Sequence, residues 1–157
     1  MQMSLLAEPD SRLHVRSEAV LGVDGAVAEL ISDMFETMYA FRGIGLAAPQ
    51  VDVRLRVIVT DVSPGENTAP NPIAMVNPEI VWVSDHDAQM REGCLSVMGH
   101  FGDVSRPAEV RVSFYTFTGN PRNYPLGGGC WPRAFSMRWI IWMVSYFLVT
   151  CLPSSAT

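Results

Sequence analysis

One stretch sets the class of fold open to this chain. Across residues 24–40 the apolar side chains Val27, Leu30, Ile31, Met34 and Met38 recur at helical spacing on a single face, and Asp24 is placed to cap the start. That pattern predicts a helix facing a core. The regular segments that follow it are strand-like. Residues 55–61 (Leu-Arg-Val-Ile-Val-Thr-Asp) read as a strand, and residues 80–84 as a short one. Residues 106–117 alternate, with Val110, Val112 and Phe114 on one face and Arg111, Ser113 and Tyr115 on the other. Residues 63–72, rich in Pro, Gly and Asn, read as a loop. One early helix followed by several strands predicts an α+β fold.

Size and charge bound the answer further. A chain of 157 residues suits one domain and buries a core without disulfides. Hydrophobic residues make up 48% and charged residues 17%, which excludes a chain disordered throughout. A net charge of −5 argues against a protein built to coat nucleic acid. Cys94, Cys130 and Cys151 are too few, and odd in number, for a disulfide framework. The first ten residues carry no basic side chain and no long apolar run, so no secretory signal is expected there. A reducing, cytoplasmic compartment is the expectation.

The sequence changes character near residue 119. All 16 acidic residues lie at or before Glu109. After it come arginines only, together with Trp131, Trp139, Trp142, Cys130 and Cys151. Pro121, Pro125, Gly127, Gly128, Gly129 and Pro132 offer turns without strands between them. Residues 139–153 are apolar with no amphipathic period, and shorter than the ~20 residues a membrane span needs. The expected organisation is a folded domain over residues 1–119 and an apolar tail of foreign composition over residues 120–157. A short membrane anchor built from the tail is an alternative that its length disfavours.

Two stretches carry chemistry. Gly43-Ile44-Gly45-Leu46-Ala47-Ala48-Pro49-Gln50 combines glycines that allow close backbone approach with an amide, Gln50, able to donate to a developing oxyanion. Its plainer reading is a helix end turning into a strand. Glu92-Gly93-Cys94-Leu95-Ser96 places a cysteine beside glycine, and such a cysteine serves as metal thiolate, nucleophile or small buried apolar residue.

Taken together, in this order and some 40 residues apart, the two stretches resemble the peptide deformylase family. Asp33-Met34-Phe35-Glu36-Thr37-Met38-Tyr39 just before the first, and Glu8-Pro9-Asp10 with Leu13 near the start, resemble it too. The resemblance covers about residues 8–119. It implies an α+β metalloenzyme fold with antiparallel strands after the early helix. It implies removal of the formyl group from the N-terminal methionine of newly made proteins, with formyl-methionyl nascent peptides, met at the ribosome, as partners. Ferrous iron is the implied metal, with zinc, nickel or cobalt as substitutes. Cys94 would be the thiolate ligand. Gln50 and the backbone N–H of Leu95 would stabilise the oxyanion. Ile44, Gly45, Glu92 and Gly93 would line the substrate, the first two pairing with its backbone in strand fashion.

The resemblance also implies a later helical H-E-x-x-H that supplies two histidine ligands and a proton-carrying glutamate. This sequence has none. Its histidines are His14, His86 and His100, and no glutamate follows Glu109. His100, six residues after Cys94, reads as a loop residue, with ligation the alternative. One inference accounts for the loss. With synonymous codons chosen for residues 135–144 (Phe-Ser-Met-Arg-Trp-Ile-Ile-Trp-Met-Val), reading from the third base of the first codon spells Gln-His-Glu-Met-Asp-His-Leu-Asp-Gly. A one-base frame slip between about Thr118 and Gly128 then explains the missing acids and the excess tryptophan. The chain as written is expected to lack hydrolytic activity. A non-catalytic module of the same fold that binds N-terminal peptides is the other expectation.

Overall fold

The computed structural model describes residues 1–61 and 70–126. The tail readings that fall on residues 127–157, including the reshuffled histidine motif and the apolar run, lie outside the described residues, as does most of the expected loop over 63–72.

The helix forms where its pattern predicts. Helix α1 spans Gly25–Ala40, and the Asp24 carboxylate caps it by accepting from the Val27 N–H at 3.0 Å. Its buried side chains are Val27, Ile31, Met34, Thr37 and Met38. Leu30, expected on the same face, is only partly covered at its margin. Thr37 is the polar residue on this face. Its hydroxyl donates to the Asp33 carbonyl at 2.7 Å and accepts from the Met3 N–H at 2.9 Å, so nothing polar is left unpaired there.

Seven strands follow: β1 (Gly45–Ala47), β2 (Val57–Asp61), β3 (Pro72–Val83), β4 (Asp87–Cys94), β5 (Val97–Pro107), β6 (Val110–Tyr115) and β7 (Pro121–Leu126). Five of them make one antiparallel sheet in the order β1-β2-β3-β6-β7, while β4 and β5 form a separate two-stranded ribbon. The architecture is α+β, as predicted.

Strand alternation divides the core into two layers. On one side of the sheet, Leu46, Val57, Val59 and Val76 meet Ile31, Met34 and Met38 of α1. On the other side, Ala47, Ile58, Met75, Val110, Val112 and Phe114 meet Leu6 and Leu13 of the N-terminal segment. Strand β2 is therefore covered on both faces, which is why it reads as an unbroken Val-Ile-Val run. Strand β6 is buried at every second residue, which matches its predicted alternation.

Three expectations need correction. The strand expected over residues 80–84 is the end of a longer β3 that begins at Pro72. Its apolar pattern is interrupted by a bulge around Asn77, which adopts φ 50°. His100 lies within β5 and not in a loop. Residues after Gly119 were expected to form turns alone, yet β7 pairs with β6 from Val110↔Leu126 to Tyr115↔Pro121. Its two prolines fall at the first and fifth residues of an edge strand, where one unpaired side tolerates a missing N–H. Among the described residues no helix is long and apolar enough to cross a membrane.

Candidate active site

The first chemical stretch begins where α1 ends. Arg42 takes φ 54° and the Gly43 N–H closes back on the Met38 carbonyl at 2.8 Å, which turns the chain into β1. Gly43 also admits a close neighbour. A Cβ there would lie 2.7 Å from Cδ1 of Leu95, so the missing side chain leaves a seat for the second stretch. Ile44 follows, and its carbonyl accepts from the Asp61 N–H at 3.0 Å and the Thr60 hydroxyl at 2.8 Å. Gly45 opens β1, the edge strand of the sheet. The plain reading of this stretch holds: it is a helix end turning into a strand, which then winds into a short 3-10 turn over Ala48–Val51 that carries Gln50.

The second stretch is the tip of the β4–β5 ribbon. Cys94 pairs with Val97, and Leu95 and Ser96 make the turn between them. Glu92 and Gly93 lie on β4 opposite Gly102 and Phe101. Cys94 rests against the core layer on one side of the sheet and Leu95 against the layer on the other. The turn thus straddles the main sheet at its β1 end.

Gln50 joins the two stretches. It is fully buried. Its Oε1 accepts from the Ala47 N–H at 2.9 Å, and its Nε2 donates to Ser96 Oγ at 3.0 Å while lying 3.8 Å from Cys94 Sγ. The N-terminal segment ties the same two turns from behind. The Leu6 N–H donates to the Gln50 carbonyl at 2.8 Å and the Glu8 N–H to the Ser96 carbonyl at 2.9 Å. Residues from three separate parts of the chain are held at one point by bonds sheltered from water.

Opposing influences act on the Cys94 sulfur. Burial pushes its thiol above the ordinary cysteine range. The backbone N–H groups of Ser96 and Val97 and the Ser96 hydroxyl donate to it and pull the other way, and the Glu8 carboxylate adds a small upward push. Burial prevails. A thiol so placed has donors suited to a thiolate, while its burial favours the protonated form.

The described donor set does not fit a resident metal ion. A catalytic site keeps three protein ligands, of which Cys94 could supply one. Among the described residues no three His, Cys, Asp or Glu side chains converge on a common point. His14 Nε2 lies 3.2 Å from the Glu8 carboxylate on an exposed face, and His86 is exposed beside the start of β4.

Of the residues singled out from the sequence, Gln50, Cys94 and Leu95 come together with Gly43, and Ile44 and Gly45 sit at the adjoining sheet edge. Sequence reasoning missed Ser96. It is the last residue of the second motif and carries a hydroxyl in an otherwise apolar setting, but the partner that gives it meaning stands 46 residues earlier.

The chain resembles known proteins over this same region. The family model described as polypeptide deformylase matches residues 3–130. The peptide deformylase of Polynucleobacter necessarius is 46% identical over 110 residues, which make up 70% of this chain and 63% of that protein. Peptide deformylase 1 of Burkholderia multivorans is 51% identical over 110 residues, 70% of this chain and 59% of that one. The match thus spans about three-fifths of the length of these curated relatives. A crystal structure of the Ehrlichia chaffeensis peptide deformylase superposes with a TM-score of 0.82 at 32% identity, covering 94% of this chain and 86% of that one. The Legionella pneumophila enzyme gives 0.80 at 34% identity, covering 94% and 83%. With the two motifs, their junction at Gln50 and these matches in agreement, the chain belongs to the polypeptide deformylase family.

Proposed function

We propose that this chain carries the substrate-recognition half of a peptide deformylase site and does not complete the hydrolysis. The substrate class is the N-formyl-methionyl end of a newly made protein, met in the cytoplasm as the chain leaves the ribosome. The observation that carries the reading is the junction of Gln50 with the Cys94–Ser96 turn: an amide donor 3.8 Å from the cysteine sulfur, buried and fixed at both ends. A preorganised donor in a dry site is what a formyl oxygen with developing charge requires. The Leu95 N–H, on the residue after Cys94, is the second donor in this reading.

Binding of the peptide falls to the sheet edge. Strand β1 ends the main sheet, so in this reading Ile44 and Gly45 pair with an extended backbone through the backbone groups that β2 leaves open, the Ile44 carbonyl being held by Asp61 and Thr60, and Glu92 and Gly93 on β4 complete the lining. This pairing needs no metal.

Hydrolysis in the family needs a metal, with iron expected and zinc, nickel or cobalt as substitutes. In this reading Cys94 would supply one ligand. The two further ligands and the proton-carrying glutamate have no counterpart, since the histidines are His14, His86 and His100 and no glutamate follows Glu109. We attribute the loss to the frame slip inferred between about Thr118 and Gly128, which leaves the sequence beyond it foreign to the family.

The second reading, a binding module without chemistry, is therefore the functional state we assign to the chain as written. Equilibrium dialysis with formyl-Met-Ala-Ser, followed by mass analysis of the recovered peptide, tests it. The expected result is bound, intact, formylated peptide. Recovery of deformylated peptide, or no binding at all, would overturn it.

A further inference from the structure

Both ends of the Gln50 amide are committed. Its Oε1 accepts from the Ala47 N–H at 2.9 Å. A backbone N–H can only donate, so the amide oxygen and nitrogen cannot be exchanged. The nitrogen therefore points at Ser96, with Nε2 and Oγ 3.0 Å apart. Because Nε2 can only donate, Ser96 Oγ accepts in that bond. Its own proton is then free to turn elsewhere. Ser96 is 2% exposed and Gln50 fully buried, so water does not compete for either bond.

An amide nitrogen carries two protons. One is taken by Ser96. The other lies on the Cys94 side, where the nearest partner is a sulfur at 3.8 Å, a weak acceptor at long range. We propose that Ser96 is a positioning residue: by accepting one proton of the Gln50 amide it aims the second into the space beside Cys94, ready for the oxygen of a formyl group. The proposal rests on the formyl-binding reading given above.

A merely structural serine would behave differently. It would satisfy a buried amide, and its loss would weaken all peptide binding alike. The test compares wild type, Ser96→Ala and Ser96→Thr in the full chain, using formyl-Met-Ala-Ser and the unformylated Met-Ala-Ser as probes. The affinity of Ser96→Ala for the formylated probe is expected to fall about tenfold, the scale of one neutral hydrogen bond. Its affinity for the unformylated probe should change less than about twofold. Ser96→Thr, which keeps the hydroxyl, should recover the preference. Side-chain amide resonances of Gln50 provide a readout independent of peptide. In wild type one proton should exchange slowly with solvent, and in Ser96→Ala that protection should vanish. Equal weakening toward both probes, or Gln50 protons unchanged in Ser96→Ala, would overturn the proposal. Failure of wild type to prefer the formylated probe would sink the formyl reading instead, and the Gln50 resonances would still decide whether Ser96 holds the amide.

Discussion

Gln50 donates from its side-chain amide to the hydroxyl of Ser96 across 3.0 Å, although 46 residues separate them. This bond couples a 3-10 turn at the edge of the main sheet to the tip of a separate ribbon. Replacing Gln50 with leucine keeps the volume and removes the polar atoms. The Ala47 N–H and the Ser96 hydroxyl would then be buried without their partner. Each such group costs about 1–3 kcal/mol, so Gln50→Leu should lose about 2–6 kcal/mol in urea unfolding. A loss below about 0.5 kcal/mol would mean that the two turns are held together by other contacts.

Asn77 supports the opposite side of the fold. Its side chain clasps Val20, donating to the carbonyl and accepting from the N–H, each at 2.8 Å, while its own backbone sits at φ 50° in the bulge of β3. Asn77→Gly keeps that backbone and forfeits both bonds, for about 1–3 kcal/mol. Asn77→Ala loses the same bonds and adds strain of about 1 kcal/mol, partly offset by a stiffer unfolded chain. Urea unfolding of the two variants should rank glycine above alanine. The reverse order would show that the bulge relaxes when the side chain is cut.

Acid should unmask one ion pair near the site. The Asp10 carboxylate caps the 3-10 turn Ser11–His14 and holds Arg12, with Arg12 Nη2 at 2.7 Å, and this lowers it to about 2 from an ordinary 3.8. A folded value below the unfolded one means stability that is fully present above about pH 4 and lost as pH falls through about 2. Comparison of wild type with Asp10→Asn across this range should show a gap that closes toward pH 2. Arg12 is exposed and Asp10 partly so, hence the gap should be small and should shrink in high salt. A gap that widens on acidification would contradict the assignment.

The frame slip makes a prediction about nucleic acid rather than protein. The coding sequence for residues 135–144, read one frame over, should spell the histidine motif that the chain lacks. Sequencing the gene decides it. Codons that cannot yield His-Glu-x-x-His in another frame end the idea, and so would any reading in which residues 110–118 and the motif share the original frame.

Much of the fold was legible because local pattern and tertiary burial agree. In α1, apolar residues at helical spacing meet a sheet on one side and water on the other. In β6, Val110, Val112 and Phe114 alternate because only one face is covered. Where the two disagree, sequence falls silent. The ribbon β4–β5 was not foreseen. Asp-Ala-Gln-Met-Arg-Glu-Gly-Cys alternates poorly, and it extends because β5 pairs with it from Asp87↔Pro107 inward. Strand β7 hid behind Pro121 and Pro125, which an edge tolerates and an interior strand does not. The site divides in the same way. Gln50 and Cys94 were marked by their motifs, while the role of Ser96 depends on a partner that only the fold brings near.

The central claim is that one sulfur remains of a three-ligand site. The direct measurement is metal content after loading the purified full chain with ferrous iron or zinc and removing the excess, with amine release from formyl-Met-Ala-Ser followed on the same sample. The account predicts far less than one equivalent of retained metal and no release above the buffer rate. Stoichiometric metal together with steady turnover would contradict it, and would mean that the chain supplies ligands which neither its histidine pattern nor the described residues reveal.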